Sequence, residues 1–299
     1  MATHTKTVVI TGASSGFGEG AVQAFAAKGY RVWGTMRDTS GRNAAKKAAL
    51  EALSSNISVV DMDVASDASV AEGFAAILRE GPVDVLINNA GIMYLGITEA
   101  FGISQAQEQM NTNYYGAMRA TQAVLPSMRA AQSGLIIYCS SLVGRVSPPF
   151  FGTYSATKHA LEVYAQCLRY EVAPFGVDVA IVQPGPFGTG LLASGRPPAR
   201  EDVLASYGDV AQVPPALWAQ FAQMLAGEGA PDPRWVVDAY VKLEELPAGE
   251  RPVRTQVGIA WGVDEVNRLT QPIQDQILKE MQLDALLGRG ADAAPAHGG

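Results

Sequence analysis

Tyr154 and Lys158 stand four residues apart in a 299-residue chain, in the run Tyr-Ser-Ala-Thr-Lys. On a helix, positions i and i+4 share one face. An ammonium beside a phenol favours the phenolate and lowers the phenol pKa toward neutrality. A phenol tuned in this way gives a proton to a carbonyl oxygen, or takes one from an alcohol, near pH 7. Taken alone, the pair equally describes an ordinary surface contact. Its context adds chemistry. Ser140 and Ser141 lie at the end of a strand-like run, Ser141 thirteen residues before Tyr154. Ligands of open α/β sheets bind outside the carboxyl ends of the strands.

A second constellation lies near the start, Thr11-Gly12-Ala13-Ser14-Ser15-Gly16-Phe17-Gly18. It separates a strand-like run from a helix-like one. Glycines there let the backbone turn sharply, and a helix N-terminus offers free N–H groups to a phosphate. The spacing is not G-x-G-x-x-G. A tight turn without a ligand is the plain alternative. The same residues also match G-x-S-x-G, the nucleophile elbow of serine hydrolases, with Ser14 as the nucleophile. That chemistry needs a partner histidine. His159 falls mid-helix and His297 in the tail.

The elements that must position these groups follow from hydrophobic pattern. Short β-branched runs at 7–11, 31–36, 57–63, 83–88, 135–140 and 177–183 read as strands. Ala-rich stretches at 16–28, 42–53, 67–79, 104–131 and 154–172 read as helices. Ser66 or Asp67 is a candidate cap, and Pro126 a candidate kink. The alternation implies βαβ units, and so a doubly wound parallel sheet with helices on both faces in one domain. Residues 187–234 are rich in Gly and Pro and read as an insertion. A helix at 235–246, a strand at 255–259 and a helix at 263–287 complete a C-terminal extension over 235–288. Residues 289–299 are expected to be disordered.

Together these motifs resemble the short-chain dehydrogenase/reductase family, in its classical subgroup, over about residues 5–260. They are T-G-x-x-x-G-x-G at Thr11 to Gly18, N-N-A-G at Asn88 to Gly91, Asn113 in the following helix, S-S-x-x-G with its serine at Ser141, the Tyr154–Lys158 pair, and P-G-x-x-x-T from Pro184 to Thr189. The resemblance implies hydride transfer between a nicotinamide cofactor and a carbonyl or secondary alcohol. It makes Ser141 the group that orients the substrate oxygen and Tyr154 the proton donor or acceptor. Lys158 would lower the Tyr154 pKa and bind the ribose. Asn113 would hold a water linking Lys158 to solvent.

The resemblance also implies the cofactor contacts. Gly12, Ser14, Ser15, Gly16, Phe17 and Gly18 form the phosphate turn. Asp63 and Val64 flank the adenine, and Asn89, Ala90 and Gly91 line the ribose side. Pro184, Gly185, Phe187 and Thr189 approach the nicotinamide and diphosphate. Met36 stands where NAD-dependent members carry Asp, and Arg37 follows it. A guanidinium matches a 2′-phosphate, so NADP(H) is the expected cofactor and NAD(H) the alternative. Asp38 is a complication, able to pair with Arg37 or contact the ribose.

The insertion falls where the family folds a lid over the substrate. Its apolar residues (Leu191, Leu192, Leu204, Tyr207, Leu217, Trp218, Phe221, Met224 and Leu225), with Met93, Tyr94, Phe150 and Phe151, suit an apolar carbonyl or alcohol. The other reading is that they pack on the core. The long helices resemble those that join members into homodimers or homotetramers. Charge and composition exclude other classes. Lys plus Arg is 22 against 29 Asp plus Glu, a net −7 without a basic block, which argues against nucleic acid. Apolar runs are too short for a membrane span, so a cytoplasmic protein is expected. Two Cys exclude a disulfide framework, and the three His lie too far apart for a local metal motif. A redox sensor holding NADPH without turnover is the alternative from another class.

Overall fold

The computed structural model describes residues 5–191 and 194–287. The tail expected to be disordered, Leu192, His4 and His297 lie outside the described residues. The chain builds β1 (Thr7–Thr11), α1 (Gly16–Ala27), β2 (Arg31–Met36), α2 (Ala44–Glu51), β3 (Ile57–Asp61), α3 (Asp67–Arg79) and β4 (Val85–Asn88). After a loop come α4 (Ile103–Met110), α5 (Gly116–Ala131), β5 (Gly134–Cys139), α6 (Gly152–Val172) and β6 (Val177–Pro184). The rest is α7 (Glu201–Ser206), α8 (Val213–Ala226), α9 (Arg234–Glu245), β7 (Arg254–Val257) and α10 (Val263–Glu280).

Seven strands form one parallel sheet in the order β3-β2-β1-β4-β5-β6-β7. Side chains alternate across it, as a two-residue period requires. Val8 and Ile10 face a layer of α1, α2 and α9, around Phe25 and Tyr240. Val9 faces the opposite layer of α3, α5 and α6, around Phe74 and Leu161. Both faces are covered, so the inner strands are continuous runs of Val and Ile, as buried parallel strands are. The order reverses between β1 and β4, which opens a crevice at the strands' carboxyl ends, where the phosphate turn and the loop after β4 meet.

Two elements differ from expectation. The helix expected over 104–131 is interrupted. A π-helical turn, Asn111–Tyr115, joins α4 to α5. One extra residue in the turn widens the helix and re-aims its side chains, a device concentrated at functional sites. Asn113 sits in it. Gly116 follows because a Cβ there would lie 2.9 Å from Val64. The last helix ends at Glu280, and a short 3-10 turn, Asp284–Leu286, follows it. Ser66 caps α3, its hydroxyl accepting from Ser69 N at 3.3 Å.

Candidate active site

The turn between β1 and α1 is stitched to the loop after β4. Thr11 Oγ1 accepts from the Asn89 and Ala90 amides at 3.0 and 3.1 Å. Asn89 Nδ2 donates to the Thr11 and Gly12 carbonyls at 2.9 and 3.2 Å. The close approach explains the glycines. A Cβ on Gly12 (φ +71°) would lie 2.7 Å from Ala90 Cα, and one on Gly18 only 2.3 Å from the Gly12 oxygen. Ser15, the N-cap of α1, makes no side-chain cap bond. That leaves the first amides of the helix for an anion. Asn88, one residue earlier, is buried and donates to Thr121 Oγ1 at 3.1 Å, a purely structural bond.

The loop after β2 carries two guanidiniums into the same cavity, Arg37 and Arg42, beside Asn43. Arg37 faces Asp63 at 4.0 Å. Asp38 turns away from Arg37. It takes a left-handed φ of +53° and accepts from the Arg42 amide at 3.0 Å. Asp61 fixes this loop, its carboxylate accepting from Thr39 N at 2.7 Å, Thr39 Oγ1 at 2.9 Å and Asp38 N at 3.3 Å. These bonds, the Thr39 amide first, hold its carboxyl below the usual aspartate range.

Deeper in the crevice, α6 presents Tyr154 and Lys158, both buried. Lys158 Nζ donates to the Cys139 carbonyl at 2.8 Å and lies 5.7 Å from the centre of the Tyr154 ring. Ser141, at the end of β5, has its hydroxyl beside the Tyr154 phenol and accepts from Val143 N at 3.3 Å. Burial pushes Tyr154 well above the usual phenol range, Cys139 adds to this, and Ser141 opposes it. Burial likewise lowers Lys158, against Cys139 and Glu162. Both shifts have one cause, since a dry site penalises phenolate and ammonium alike.

Asn113 turns its amide onto the protein. Its Oδ1 accepts from Ile92 N at 2.8 Å, and its Nδ2 donates to Ile92 O at 2.9 Å and Thr157 Oγ1 at 3.0 Å. The π turn is what aims it there. It pins the Gly91–Ile92 backbone beside Lys158.

The remaining wall is apolar. Met93, Leu142, Val143 and Phe151 face Leu191 and Leu225, with Trp218 and Phe221 on α8 and Trp261 beyond β7. Phe221 stacks edge-on with Trp218 at 5.9 Å and lies 5.9 Å from Trp261. Two residues hold left-handed backbone beside this wall, Phe150 (φ +72°) and Trp261 (φ +45°). Such strain in a bulky residue persists only where the surroundings enforce it.

One cavity of about 500 Å³ joins all three regions. Among the described residues it is lined by every expected site residue except Gly18 and Asn113, which pack behind it. Leu204, Tyr207, Leu217, Met224, Tyr94 and Phe150 do not line it either; Tyr207 instead donates to Glu99 at 2.7 Å. Arg42, Ile92, Leu142, Val143 and Trp261 line it without having been expected. Of these, only Arg42, a cation shortly after Arg37, left a signal in the sequence. Among the described residues no histidine lines it near Ser14, and so none of them supplies the base that the hydrolase reading needs. His159 faces its own helix, its Nδ1 3.0 Å from the Ser155 carbonyl.

Known proteins carry the same plan. The family model described as short chain dehydrogenase matches residues 6–199. A 3-ketodihydrosphingosine reductase from Bacteroides thetaiotaomicron is 41% identical over 185 residues, 62% of this chain and 65% of the relative. Human retinol dehydrogenase 8 is 40% identical over 192 residues, 63% of this chain and 61% of the relative. The match thus spans less than two thirds of either relative. The crystal structure of a short-chain dehydrogenase from Streptomyces avermitilis superposes with a TM-score of 0.72 at 29% identity, over 94% of this chain and 98% of that one. With well over half of its length matched and the parallel sheet, phosphate turn and Tyr–Lys helix in place, the chain belongs to the short chain dehydrogenase family.

Proposed function

We propose that the protein is an NADP(H)-dependent oxidoreductase acting on a carbonyl or secondary alcohol. One observation carries this reading. The Tyr154 phenol, with Ser141 beside it and Lys158 beneath it, opens into the same cavity as a glycine cradle and an apolar wall. The relatives' names, a keto-compound reductase and a retinol dehydrogenase, describe the same pair of functional groups.

The cradle fits a dinucleotide. The space that a Cβ at Gly12 or Gly18 would fill is closed by backbone, so Gly12, Ser14, Ser15, Gly16 and Phe17 offer backbone to the diphosphate. Arg37 and Arg42 offer charge to a 2′-phosphate. Asp63 and Val64 flank the adenine, Asn89, Ala90 and Gly91 the ribose, and Pro184, Gly185, Phe187 and Thr189 the nicotinamide end. Once bound, the nicotinamide supplies or accepts the hydride. Residues of the chain do the rest. Ser141 donates to the substrate oxygen and orients it. Tyr154, kept as a phenol by burial, gives its proton to that oxygen in the reducing direction. Lys158 stabilises the phenolate left behind, where its charge counts most in a dry site. Residues 187–234 act as the lid, bringing Trp218 and Phe221 over the substrate. A homo-oligomer belongs to the same reading, since α6 leaves Val163, 63% exposed, on its outer face. Among the described residues no helix is long and apolar enough to cross a membrane.

The test is oxidation of NADPH, beside NADH, over ketones graded in bulk. Turnover faster with NADPH is the expected result. Tight NADPH binding without turnover of any ketone or alcohol would leave a binding module instead.

A further inference from the structure

Tyr154, Lys158 and Glu162 stand at i, i+4 and i+8 of α6, on one face, and all three are buried. The first two reach the cavity. Glu162 lies one turn behind them, in a polar cluster that the proposed chemistry does not use. Its Oε2 accepts from Arg254 Nε of β7 at 2.8 Å, and its Oε1 from Gln183 Nε2 of β6 at 2.8 Å. Arg254 donates on to Gln166 at 2.6 Å and to Gln271 of α10 at 3.2 Å. Gln183 Oε1 accepts from Asn267 of α10 at 2.7 Å. The Glu162 and Arg254 side chains are 2% and 5% exposed. Gly144 rests directly on this carboxylate, since a Cβ there would lie 2.9 Å from Glu162 Cγ. The turn that begins at Ser141 is therefore backed by Glu162.

The charge balance is unusual. One carboxylate faces three cations: Lys158 from its own helix, Arg254 from β7 and Arg145 from the turn after Ser141. Cys139 of β5 and Tyr154 flank Lys158, and Tyr240 of α9 lies against Cys139. From α10 come Asn267, Gln271 and Thr270, the last accepting from Arg145 at 2.5 Å, and one turn on the Asp275 carboxylate, which accepts from Gln271 at 2.7 Å. Burial drives Lys158 toward the neutral amine, and Glu162 is the carboxylate that opposes it. Arg254 draws on the same carboxylate. In a low-dielectric interior neither effect is screened away.

We propose that Glu162 and Arg254 are a pair of positioning residues that act through Lys158. Glu162 keeps Lys158 an ammonium beneath Tyr154, and Arg254, delivered by the strand that follows the lid, limits how strongly it does so. The inference rests on the reading of Tyr154 and Lys158 as the proton-transfer pair. It links the C-terminal β7–α10 unit to the reaction without any contact to substrate.

Two opposite charge deletions test it in the full-length protein. The readout is the alkaline limb of kcat for NADPH-dependent reduction of cyclohexanone and 4-phenylcyclohexanone. Glu162→Gln removes the negative charge and is expected to move that limb down by about one pH unit. Arg254→Gln removes a positive charge and is expected to move it up. A purely structural pair would lower kcat in both variants and leave the limb in place, or shift it the same way in both. Either result overturns the proposal. If Glu162→Gln does not fold, Arg254→Gln alone still has to move the limb upward.

Labelling of Lys158 by acetic anhydride, followed across pH by mass spectrometry, reads the same group without turnover. Its inflection must move down in Glu162→Gln and up in Arg254→Gln. Unmoved inflections sink the charge pair whatever the activity. Inflections that move as stated, in a protein that reduces no ketone, sink the reductase reading and leave the charge pair standing.

Discussion

Lys158 Nζ donates to the Cys139 carbonyl at 2.8 Å, while its distance to the centre of the Tyr154 ring is 5.7 Å. The ammonium is thus oriented by the backbone of β5, at the same strand end that carries Ser141. The sheet fixes Ser141 and Lys158 relative to each other, and α6 fixes Tyr154 relative to both. Three side chains from two elements are held by one backbone bond, which is how a rigid scaffold keeps a proton-transfer site in register.

Tyr154→Phe removes the proton and little else, because the ring is packed among Leu142, Val143 and Phe151 and its bulk is retained. NADPH-dependent ketone reduction should fall about 10²–10⁴-fold, the usual contribution of a positioned acid. NADPH affinity, measured by fluorescence titration, should be unchanged. Activity retained in this variant would assign the proton to another group.

The scaffold was open to reading because its signals are local. Val8, Val9 and Ile10 show their strand by residue type, and the parallel arrangement follows from the alternation with Ala-rich helices. Gly12 and Gly18 announce a close approach in their own positions. What stayed hidden depends on contacts far apart in the chain. Helical periodicity does not reveal a one-residue widening, so the π turn at Asn113 was invisible, and with it the target of that amide. Spacing shows the Lys158 neighbour of the phenol but not the burial around both groups. Trp261 reaches Phe221 from forty residues away, and nothing in either local run marks the pairing.

Arg37 and Arg42 both line the nucleotide end, and Asp38 is tied to Arg42 rather than Arg37. Replacing Arg37 by Ala should weaken NADPH binding by about tenfold to a hundredfold, the range of a lost charge-assisted bond. NADH binding should hardly change, since it has no 2′-phosphate. The Arg37→Ala/Arg42→Ala pair should narrow the NADPH preference further. Equal losses for both cofactors would place the guanidiniums elsewhere than on the 2′-phosphate.

Asp61 organises the loop that carries those arginines, and its carboxyl is held below the ordinary 3.8 by the Thr39 and Asp38 amides. A depressed carboxyl contributes order that is present above the ordinary aspartate range. That contribution is lost as pH falls through the depressed value. NADPH affinity should therefore collapse on acidification below the ordinary range, and Asp61→Asn should weaken NADPH binding at neutral pH. Fluorescence titration at stepped pH separates this from global unfolding, followed by circular dichroism. Affinity in Asp61→Asn equal to that of the unaltered protein would show that the loop stands without these bonds.

Trp218 and Phe221 are one turn apart on α8, a helix without a fully buried residue. They are the aromatic groups by which α8 touches Phe151, at 6.4 and 6.5 Å between ring centres. A helix held this lightly can move as a unit, and its grip on a substrate then resides in those two rings. Trp218→Ala should lower kcat/KM for 4-phenylcyclohexanone by about tenfold, the worth of a lost apolar contact in a pocket. The value for cyclohexanone, which offers the two rings less apolar surface, should change much less. Phe221→Ala should act in the same direction, and the double variant should fall short of the sum because the two rings touch at 5.9 Å. Equal losses for both ketones would mean that α8 stabilises the fold of the site instead of selecting its substrate.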